Sequence, residues 1–187
     1  MDDFETHFTV APDDRLADWA AAHGLKYTRI ELDRGATADQ PMLTSRGRGD
    51  LAGRRAAAAT LVRQLRDDGF TVRRVKIEAA PWHAAVPSGY FEHHVKLVLA
   101  AADIDVARSV AVRHGAHLSR NARRARDDGR HERFVTQRCH DVGRPQARGR
   151  LDALIAALTD TGLELVEVEE EYVLVDDNPE LDAGWIR

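Results

Sequence analysis

The chain has little cysteine, few aromatic residues and no long apolar run. Its single cysteine, Cys139, excludes a disulfide within the chain and favours a reducing compartment. No apolar stretch approaches the roughly 18 residues of a membrane-spanning helix. The acidic start MDDFETH differs from the basic and apolar start of a signal peptide. We therefore expect a cytoplasmic protein that does not bind a membrane.

The chain also lacks a large net charge. Its 27 Lys and Arg residues against 31 Asp and Glu residues give a formal charge of −4, which does not suit a globally basic nucleic-acid binder. A basic stretch at residues 120–133 is interpreted as a solvated loop, with RNA contact as the alternative, because stacking aromatic residues are scarce there. Charged residues make up 31% of the chain, above the usual value of about a quarter. This excess predicts an unusually polar face.

What the sequence does have is an internal repeat. The segment Phe4–Val10 returns as Phe91–Leu97, and within it Glu5 and His7 are matched by Glu92 and His94. Later matches keep nearly the same spacing, among them Val75-Lys76-Ile77-Glu78 with Val168-Glu169-Glu170-Glu171. This period is much longer than the roughly 20–50 residues of solenoid repeats, so it indicates two similar lobes.

Hydrophobic periodicity and capping residues predict the same element order in both copies, which is strand, helix, strand, strand, helix, strand. The predicted strands span 4–10, 25–32, 42–46 and 71–79, then 90–99, 116–121, 133–139 and 164–175. The predicted helices follow Asp14 and Asp50 in the first copy and span 103–114 and 144–160 in the second. This is the order of ferredoxin-like folds. We therefore predict an α+β protein, a tandem duplication of a ferredoxin-like βαββαβ unit with two antiparallel four-stranded sheets and helices on their outer faces.

The predicted domain organisation follows from this order. The first lobe covers 1–80, a linker with two prolines covers 81–89, and the second lobe covers 90–175. Residues 176–187 form a tail with Leu181, Trp185 and Ile186, which would be costly to leave exposed together. The tail is therefore expected to pack on the body of the protein.

Alternation along the strands predicts a polar face on each sheet, opposite the face that carries the helices. On the first strand of each lobe, Glu5 and His7, and likewise Glu92 and His94, lie opposite the aromatic and aliphatic residues. Neighbouring strands add Thr44, Arg46, Lys76 and Glu78 in the first lobe, and Thr136, Arg138, Glu169 and Glu171 in the second. Two such sheets facing each other would enclose a charged cleft.

Two interpretations of this polar face stay open. In the first, its charges are cross-strand salt bridges worth about 0.2–1 kcal/mol each, and the protein is a non-catalytic binding or interaction module. In the second, carboxylates hold a divalent metal while cationic side chains hold the oxygens of a small phosphorylated or anionic ligand. The metal ligands would then be Glu5, Glu78, Glu92 and Glu171, and the ligand-binding residues Arg46, Lys76, Lys96, Arg120 and Arg138.

The segment Glu92-His93-His94-Val95-Lys96 resembles the Glu-x-Glu-x-Lys opening strand of the CYTH, or triphosphate tunnel, superfamily, with histidine in place of the second glutamate. The resemblance extends to Arg138 and to the acidic strand with Glu167, Glu169 and Glu171. Members enclose inorganic or organic triphosphates in a mainly antiparallel barrel and use Mg²⁺ or Mn²⁺. The resemblance implies a metal-dependent phosphohydrolase with a small phosphorylated substrate.

A second resemblance concerns His7-Phe8-Thr9, which is similar to the His-x-Thr motif of two-histidine phosphoesterases. Those enzymes carry the motif once in each of two similar lobes, and the corresponding segment of the second lobe here reads His94-Val95-Lys96. This resemblance implies that His7 and His94 are catalytic, acting as general acid and base on a cyclic or 2′-linked phosphate.

Overall fold

The structure is a computed structural model that describes residues 2–83, 89–124 and 126–186. These parts of the chain contain eight β-strands: β1 Asp2–Val10, β2 Lys26–Leu32, β3 Asp39–Gly49, β4 Val72–Ala79, β5 Tyr90–Leu99, β6 Ala116–Asn121, β7 His131–Cys139 and β8 Glu164–Asp176. They also contain four α-helices: α1 Leu16–Ala22, α2 Leu51–Asp67, α3 Ile104–Arg113 and α4 Arg144–Thr159. Part of the predicted linker, residues 84–88, lies outside the described residues.

The mixed α+β class is confirmed, and both halves of the chain have the predicted order of strands and helices. Capping explains two of the boundaries. The Asp50 carboxylate accepts a hydrogen bond from the Gly53 amide at the start of α2, and Pro145 occupies the first turn of α4. Strand β3 begins earlier than the predicted 42–46, because Asp39, Gln40 and Pro41 pair with the end of β2.

The eight strands close into one antiparallel barrel in the order β1-β3-β2-β6-β7-β5-β8-β4. Within each half the first strand lies between the third and fourth, and the two halves join where β2 pairs with β6 and β4 pairs with β8. The prediction of two separate sheets is therefore wrong. The edge strands of a four-stranded sheet would leave backbone N–H and C=O groups unpaired, and joining the two sets of edges pairs them.

The helices pack on the outer, apolar face of the barrel. In the first half Phe8 and Leu43 pack with Leu16 of α1 and Leu65 of α2. The second half repeats this arrangement, with Val95 and Leu97 of β5 against Val110 of α3 and Leu154 of α4. Because successive strand residues alternate in direction, the polar residues between them point into the barrel.

The tail crosses one end of the barrel. A short 3-10 helix spans Pro179–Asp182, and Leu181, Trp185 and Ile186 are buried. The Trp185 indole packs with Leu32 of β2, and its N–H donates to the Leu118 carbonyl of β6, 2.8 Å away. Trp185 thereby bridges the seam between the two halves.

No helix within the described residues combines the length and the apolar character needed to cross a membrane.

Candidate functional site

The interior of the barrel holds a continuous set of charged side chains. Lys76 of β4 forms an ion pair with Glu92 of β5, although β8 lies between these two strands. A contact that passes over a whole strand requires both side chains to point into the lumen. The tail covers one end of this lumen, and the side chains are more exposed to solvent toward the opposite end.

At the covered end, the Asp182 carboxylate is the centre of the contacts. Its oxygens lie 2.6 Å from an Arg74 nitrogen, 2.7 Å from an Arg138 nitrogen and 2.8 Å from the Gln40 amide nitrogen. Asp176 makes a second ion pair with Arg74 and accepts a hydrogen bond from the Tyr90 hydroxyl. Because these partners come from β3, β4, β7 and β8, the tail lies across the lumen.

One step further in, Lys76 lies between two buried carboxylates. Its Nζ is 2.5 Å from Glu78 and also pairs with Glu92, and the other Glu92 oxygen is 2.5 Å from Arg138 Nε. Burial opposes ionisation of Glu92, but the charges of Arg138 and Lys76 outweigh it and hold the Glu92 pKa well below its usual range. Burial also disfavours the ammonium form of Lys76, yet Glu78 and Glu92 raise the Lys76 pKa. All these groups are therefore charged at neutral pH.

His7 is held from both sides of its ring. Its Nε2 lies 2.7 Å from Glu78 and 4.0 Å from Glu5, and its Nδ1 lies 2.9 Å from the Thr44 hydroxyl. With a proton on Nε2, the ring donates to the Glu78 carboxylate while Nδ1 accepts from Thr44. Such an orientation is what a general base or acid needs.

His94 has the same set of neighbours in the second half. Its Nε2 lies 3.3 Å from Glu92 and 3.6 Å from Glu171, and its Nδ1 lies 3.0 Å from the Thr136 hydroxyl. Strand register explains the match. Glu5 is opposite Arg46 on β3 and Glu78 on β4, just as Glu92 is opposite Arg138 on β7 and Glu171 on β8.

The two sets differ in solvent exposure. Arg46 pairs with Glu5 at 2.7 Å, yet the Arg46 side chain is 74% exposed, whereas the corresponding Arg138 is only 5% exposed. The Glu5, His94 and Glu171 side chains keep 28%, 24% and 23% of their surface exposed. The barrel is therefore accessible from the end that carries Arg46.

Glu171 differs from the other carboxyl groups of the lumen because its pKa is strongly raised. Burial, followed by the negative charge of Glu78, raises the Glu171 pKa to about 10. At neutral pH this side chain is a neutral hydrogen-bond donor among charged groups. The pair of Glu78 and Glu171 thus combines one carboxylate with one carboxylic acid.

Replacing Glu171 with glutamine should stabilise the protein at neutral pH. The Glu171 pKa is raised from an ordinary 4.5 to about 10, so the folded protein must hold a proton that the unfolded chain releases, and stability falls as the pH rises between these values. Because glutamine does not titrate, the gain should be near zero at about pH 4 and reach about 1 kcal/mol or more at neutral pH. Urea unfolding across this pH range measures it.

Glu169→Gln is the matched control, since Glu169 is exposed on the same strand two residues away. It should change stability little at any of these pH values. If Glu171→Gln is instead the less stable protein at pH 7, Glu171 is ionised and supports its neighbours as an anion.

The lumen brings together nine of the predicted site residues, namely Glu5, His7, Arg46, Lys76, Glu78, Glu92, His94, Arg138 and Glu171. Lys96 lies one pleat further along β5 and pairs with Glu132 at 3.5 Å. Arg120 is not part of the cluster. It alternates with Ser119 on β6, so it points to the outer surface and pairs with Glu31 across the seam.

Sequence reasoning missed the residues at the covered end. Arg74 could have been found from strand alternation, since it lies on the same face of β4 as Lys76 and Glu78. No sequence pattern marks Asp182, because its contacts depend on where the tail folds back. Asp182, Arg74 and Asp176 are all buried or nearly so. Asp182 pairs with Arg138, while Arg74 pairs with both Asp182 and Asp176.

The donor set is of the oxygen-rich kind that suits Mg²⁺ or Mn²⁺. Within the described residues, however, no three His, Cys, Asp or Glu side chains are arranged to hold a metal ion. Glu78 and Glu92 are instead engaged by Lys76 and Arg138. Metal binding by Glu5, Glu78, Glu92 and Glu171 stays a prediction, and it requires these ion pairs to rearrange.

Two other features of the sequence lie away from the lumen cluster. Cys139 is buried, and that burial raises its thiol pKa, which disfavours the reactive thiolate. In the basic stretch, Arg126 and Arg130 pair with Asp128, and Arg130 also pairs with Glu164. Part of the positive charge in this loop is thus neutralised within the chain.

Comparison with known proteins does not assign a family. No family model matches the chain, and no curated protein matches it. Among solved structures, it is similar to the small subunit of acetolactate synthase from Thermotoga maritima, with 12% identity over 94% of this chain and 96% of that one and a TM-score of 0.32. It is also similar to a microcompartments protein from Desulfitobacterium hafniense DCB, with 17% identity over 91% and 94% of the two chains and a TM-score of 0.29. At this level of overlap neither likeness carries an argument about function.

Proposed function

We propose that the lumen binds a small phosphorylated or otherwise anionic molecule that enters at the end carrying Arg46, and that His7 and His94 act as acid and base in its hydrolysis. The observation that carries the proposal is the pair of matched sets, each a histidine between two glutamates with a threonine on Nδ1. Both sets lie in one lumen that the tail covers at its far end. Perturbed carboxyl groups beside oriented histidines favour a functional site.

Arg46 is the group best placed to meet an incoming anion. It is largely exposed and held by one carboxylate, so its remaining N–H groups are free to form a bidentate contact with phosphate. The neutral Glu171 adds a hydrogen-bond donor without adding negative charge. The nearest carboxylate oxygen to His94 Nε2 is 3.3 Å away, whereas His7 Nε2 lies 2.7 Å from Glu78. His94 Nε2 is therefore more available to a ligand than His7 Nε2.

A divalent cation is part of the proposal. Further carboxylates lie near the accessible end, where Glu167 and Glu169 of β8 are exposed and are paired in register with Lys96 and His94 of β5. A phosphate would be repelled there unless a cation accompanied it. Mg²⁺ in proteins is typically bound by one or two carboxylates together with the phosphates of the substrate. Such a cation would neutralise charge on the transferred group and on the carboxylates around it.

The proposal is tested by a thermal-shift screen of nucleotides, inorganic polyphosphates, cyclic phosphates and organic acids, each with and without Mg²⁺ or Mn²⁺. A ligand that binds only the folded state raises the melting temperature, by an amount that grows with ligand concentration. Any compound that does so is then tested for hydrolysis with the wild type and with His7→Gln and His94→Gln.

Arg46→Ala should weaken binding of a compound found in that screen by about 10- to 100-fold, which is the loss expected when a charged hydrogen bond to a ligand is removed. Because Arg46 is exposed, its removal should leave the melting temperature of the free protein almost unchanged. Isothermal titration calorimetry measures the affinity.

Arg48→Ala is the control for this variant. Arg48 is on the same strand, is 72% exposed and forms a similar ion pair with Asp3, but it lies two residues further from the histidines. Equal losses of affinity in the two variants would show that the ligand binds outside the lumen.

A second function is favoured by a different observation, which is that the buried charges are already paired with one another. Arg74, Arg138 and Lys76 each contact at least one carboxylate. On this alternative the protein is a non-catalytic binding or interaction module whose lumen is a structural salt-bridge network. Failure of every phosphorylated or anionic compound to shift the melting temperature would favour it.

The proposal includes the ancestry and location of the protein. We infer that the two halves are copies of one ferredoxin-like unit, because the element order and the register around Glu5 and Glu92 correspond. We also place the protein in the cytoplasm, where a single unpaired cysteine is stable. Superposing one half on the other in an experimental structure tests the duplication. Fractionation of cells tests the cytoplasmic location.

A further inference from the structure

The covered end of the lumen contains a set of donors for one oxyanion, and a side chain of the tail fills it. Arg74 of β4 and Arg138 of β7 both donate to Oδ2 of Asp182, over 2.6 and 2.7 Å. The Gln40 amide of β3 donates to the other oxygen, Oδ1, over 2.8 Å. Donors from three different strands thus converge on one carboxylate. We call Arg74, Arg138 and Gln40 the oxyanion cradle.

The barrel itself supplies each arginine of the cradle with a carboxylate. Arg74 pairs with Asp176 of β8 at 2.5 Å, and Arg138 pairs with Glu92 of β5 at 2.5 Å. Both pairs lie within the strands, so they persist when the tail moves away. The two guanidinium groups repel each other across the space that Asp182 occupies, and that space therefore still favours an anion after the tail has left.

Guanidinium groups bind phosphate oxygens as readily as carboxylate oxygens, with the same parallel N–H···O geometry. A phosphate ion offers more oxygens than a carboxylate and a second negative charge. It can accept hydrogen bonds from both arginines and from the Gln40 amide at once. The oxyanion cradle therefore suits phosphate at least as well as it suits Asp182.

Outside the cradle, the tail has few contacts with the barrel. Within the described ranges, one backbone hydrogen bond joins residues 178–186 to the rest of the chain, from the Ala36 amide to the Ala183 carbonyl. Trp185 packs with Leu32 in a small apolar cluster that is separate from the three larger clusters of the barrel. Segments with few backbone hydrogen bonds and little apolar contact open at a lower free energy than the body of a fold. The tail is therefore expected to open while the barrel stays folded.

We propose that the oxyanion cradle is a binding site for inorganic phosphate, that Asp182 fills it as a tethered carboxylate, and that phosphate takes its place by releasing the tail. Release opens the lumen at its second end. It also exposes Arg138, whose guanidinium carbon now lies 6.0 Å from the centre of the Trp185 ring. This site is separate from the entrance beside Arg46, and it does not depend on the proposed hydrolysis.

The first test measures opening of the tail in the wild type by hydrogen exchange and mass spectrometry. A group on a short tether competes at an effective concentration of millimolar order, so sodium phosphate is used at about 50 mM. Sodium chloride of equal ionic strength is the control, since salt alone screens buried ion pairs little. Amides of residues 178–186 should exchange about 10-fold faster or more in phosphate than in chloride, while β1 and β5 exchange alike in both.

The second test uses Asp182→Asn, which removes the competing charge and keeps the size of the side chain. Inorganic phosphate should bind this variant about 10- to 100-fold more tightly than the wild type, because less free energy is needed to free the cradle. Isothermal titration calorimetry measures the affinity. Phosphate should also raise the melting temperature of the variant. Glu180→Gln is the control, since Glu180 is exposed on the same 3-10 helix, and it should behave like the wild type.

Two further substitutions, each made together with Asp182→Asn, locate the bound phosphate. Arg74→Lys keeps the charge but loses the forked N–H donors, so it should weaken phosphate binding by about 10-fold or more. Arg46→Ala should leave the affinity unchanged. Circular dichroism checks that each variant is folded, and if Asp182→Asn is not, the exchange experiment on the wild type decides alone.

Equal exchange of the tail in phosphate and in chloride would overturn the proposal. So would an Asp182→Asn variant that binds phosphate no more tightly than the wild type. Loss of phosphate binding in Arg46→Ala, with Arg74→Lys unaffected, would place the ion at the open end of the lumen. That result would overturn the cradle as a phosphate site and still support the proposed function.

Discussion

Replacing Asp182 with alanine is expected to lower the free energy of unfolding by about 3–5 kcal/mol, because each of two buried arginines loses one of its two carboxylate partners, and Arg74 keeps only Asp176 while Arg138 keeps only Glu92. The Asp182 side chain is 1% exposed and contacts both Arg74 and Arg138, which are themselves 5% exposed. Chemical denaturation at neutral pH, with the slope compared between variants, measures this loss. The buried Gln40 amide also loses one of its two acceptors and keeps the Thr37 carbonyl.

Glu180→Ala is the control, since Glu180 is on the same 3-10 helix, is exposed and forms no ion pair among the described residues. Its effect should stay within about 0.5 kcal/mol. An Asp182→Ala protein as stable as the control would show that the tail is not held by these ion pairs.

A comparable loss, about 3–5 kcal/mol, is expected for Glu92→Gln, which leaves Lys76 and Arg138 facing an amide instead of a carboxylate. Glu5→Gln makes the same chemical change at the corresponding position of the first half. Glu5 is partly exposed and pairs with the exposed Arg46, so its replacement should cost only about 0–1 kcal/mol. Equal losses at the two positions would contradict the unequal burial of the two sets.

The difference between Glu92→Gln and the wild type should also depend on pH. The Glu92 pKa is held below its ordinary value of 4.5 in the folded protein, so its stabilisation is present above that value and is lost as the pH falls. The variant should therefore approach the wild type in stability at about pH 3, whereas the gap should be full at neutral pH. Urea unfolding at both pH values checks this.

Local patterns in the sequence were enough to predict the strands and helices, because alternation, periodicity and capping act over a few residues. Alternation also predicted that Glu5 and His7 share a face opposite Phe4 and Phe8. The closure of the barrel could not be predicted in this way. It depends on edge strands meeting each other, and the residues of β2 and β6 carry no local mark of their partner.

The same reasoning explains what was found and missed in the candidate site. Residues of the central strands β1 and β5 were placed correctly in the polar face because those strands are paired on both sides with known neighbours. Arg120 was predicted to bind a ligand but points outward, because it lies on the same strand face as Ala116 and Leu118, which pack against the helices. Asp182 was missed because a tail has no periodicity from which to infer its partner.

The covering of the lumen by the tail has a consequence for the order of folding during synthesis. Gln40 is made early, and the carboxylate that it donates to, that of Asp182, lies 142 residues later in the chain. The strands of the first half can pair as soon as they leave the ribosome, since domains fold from the N-terminal side. The charged side chains on their inner face, however, stay hydrated until the tail has been synthesised and covers them. Translation therefore makes closure of the far end one of the last events in the folding of this barrel.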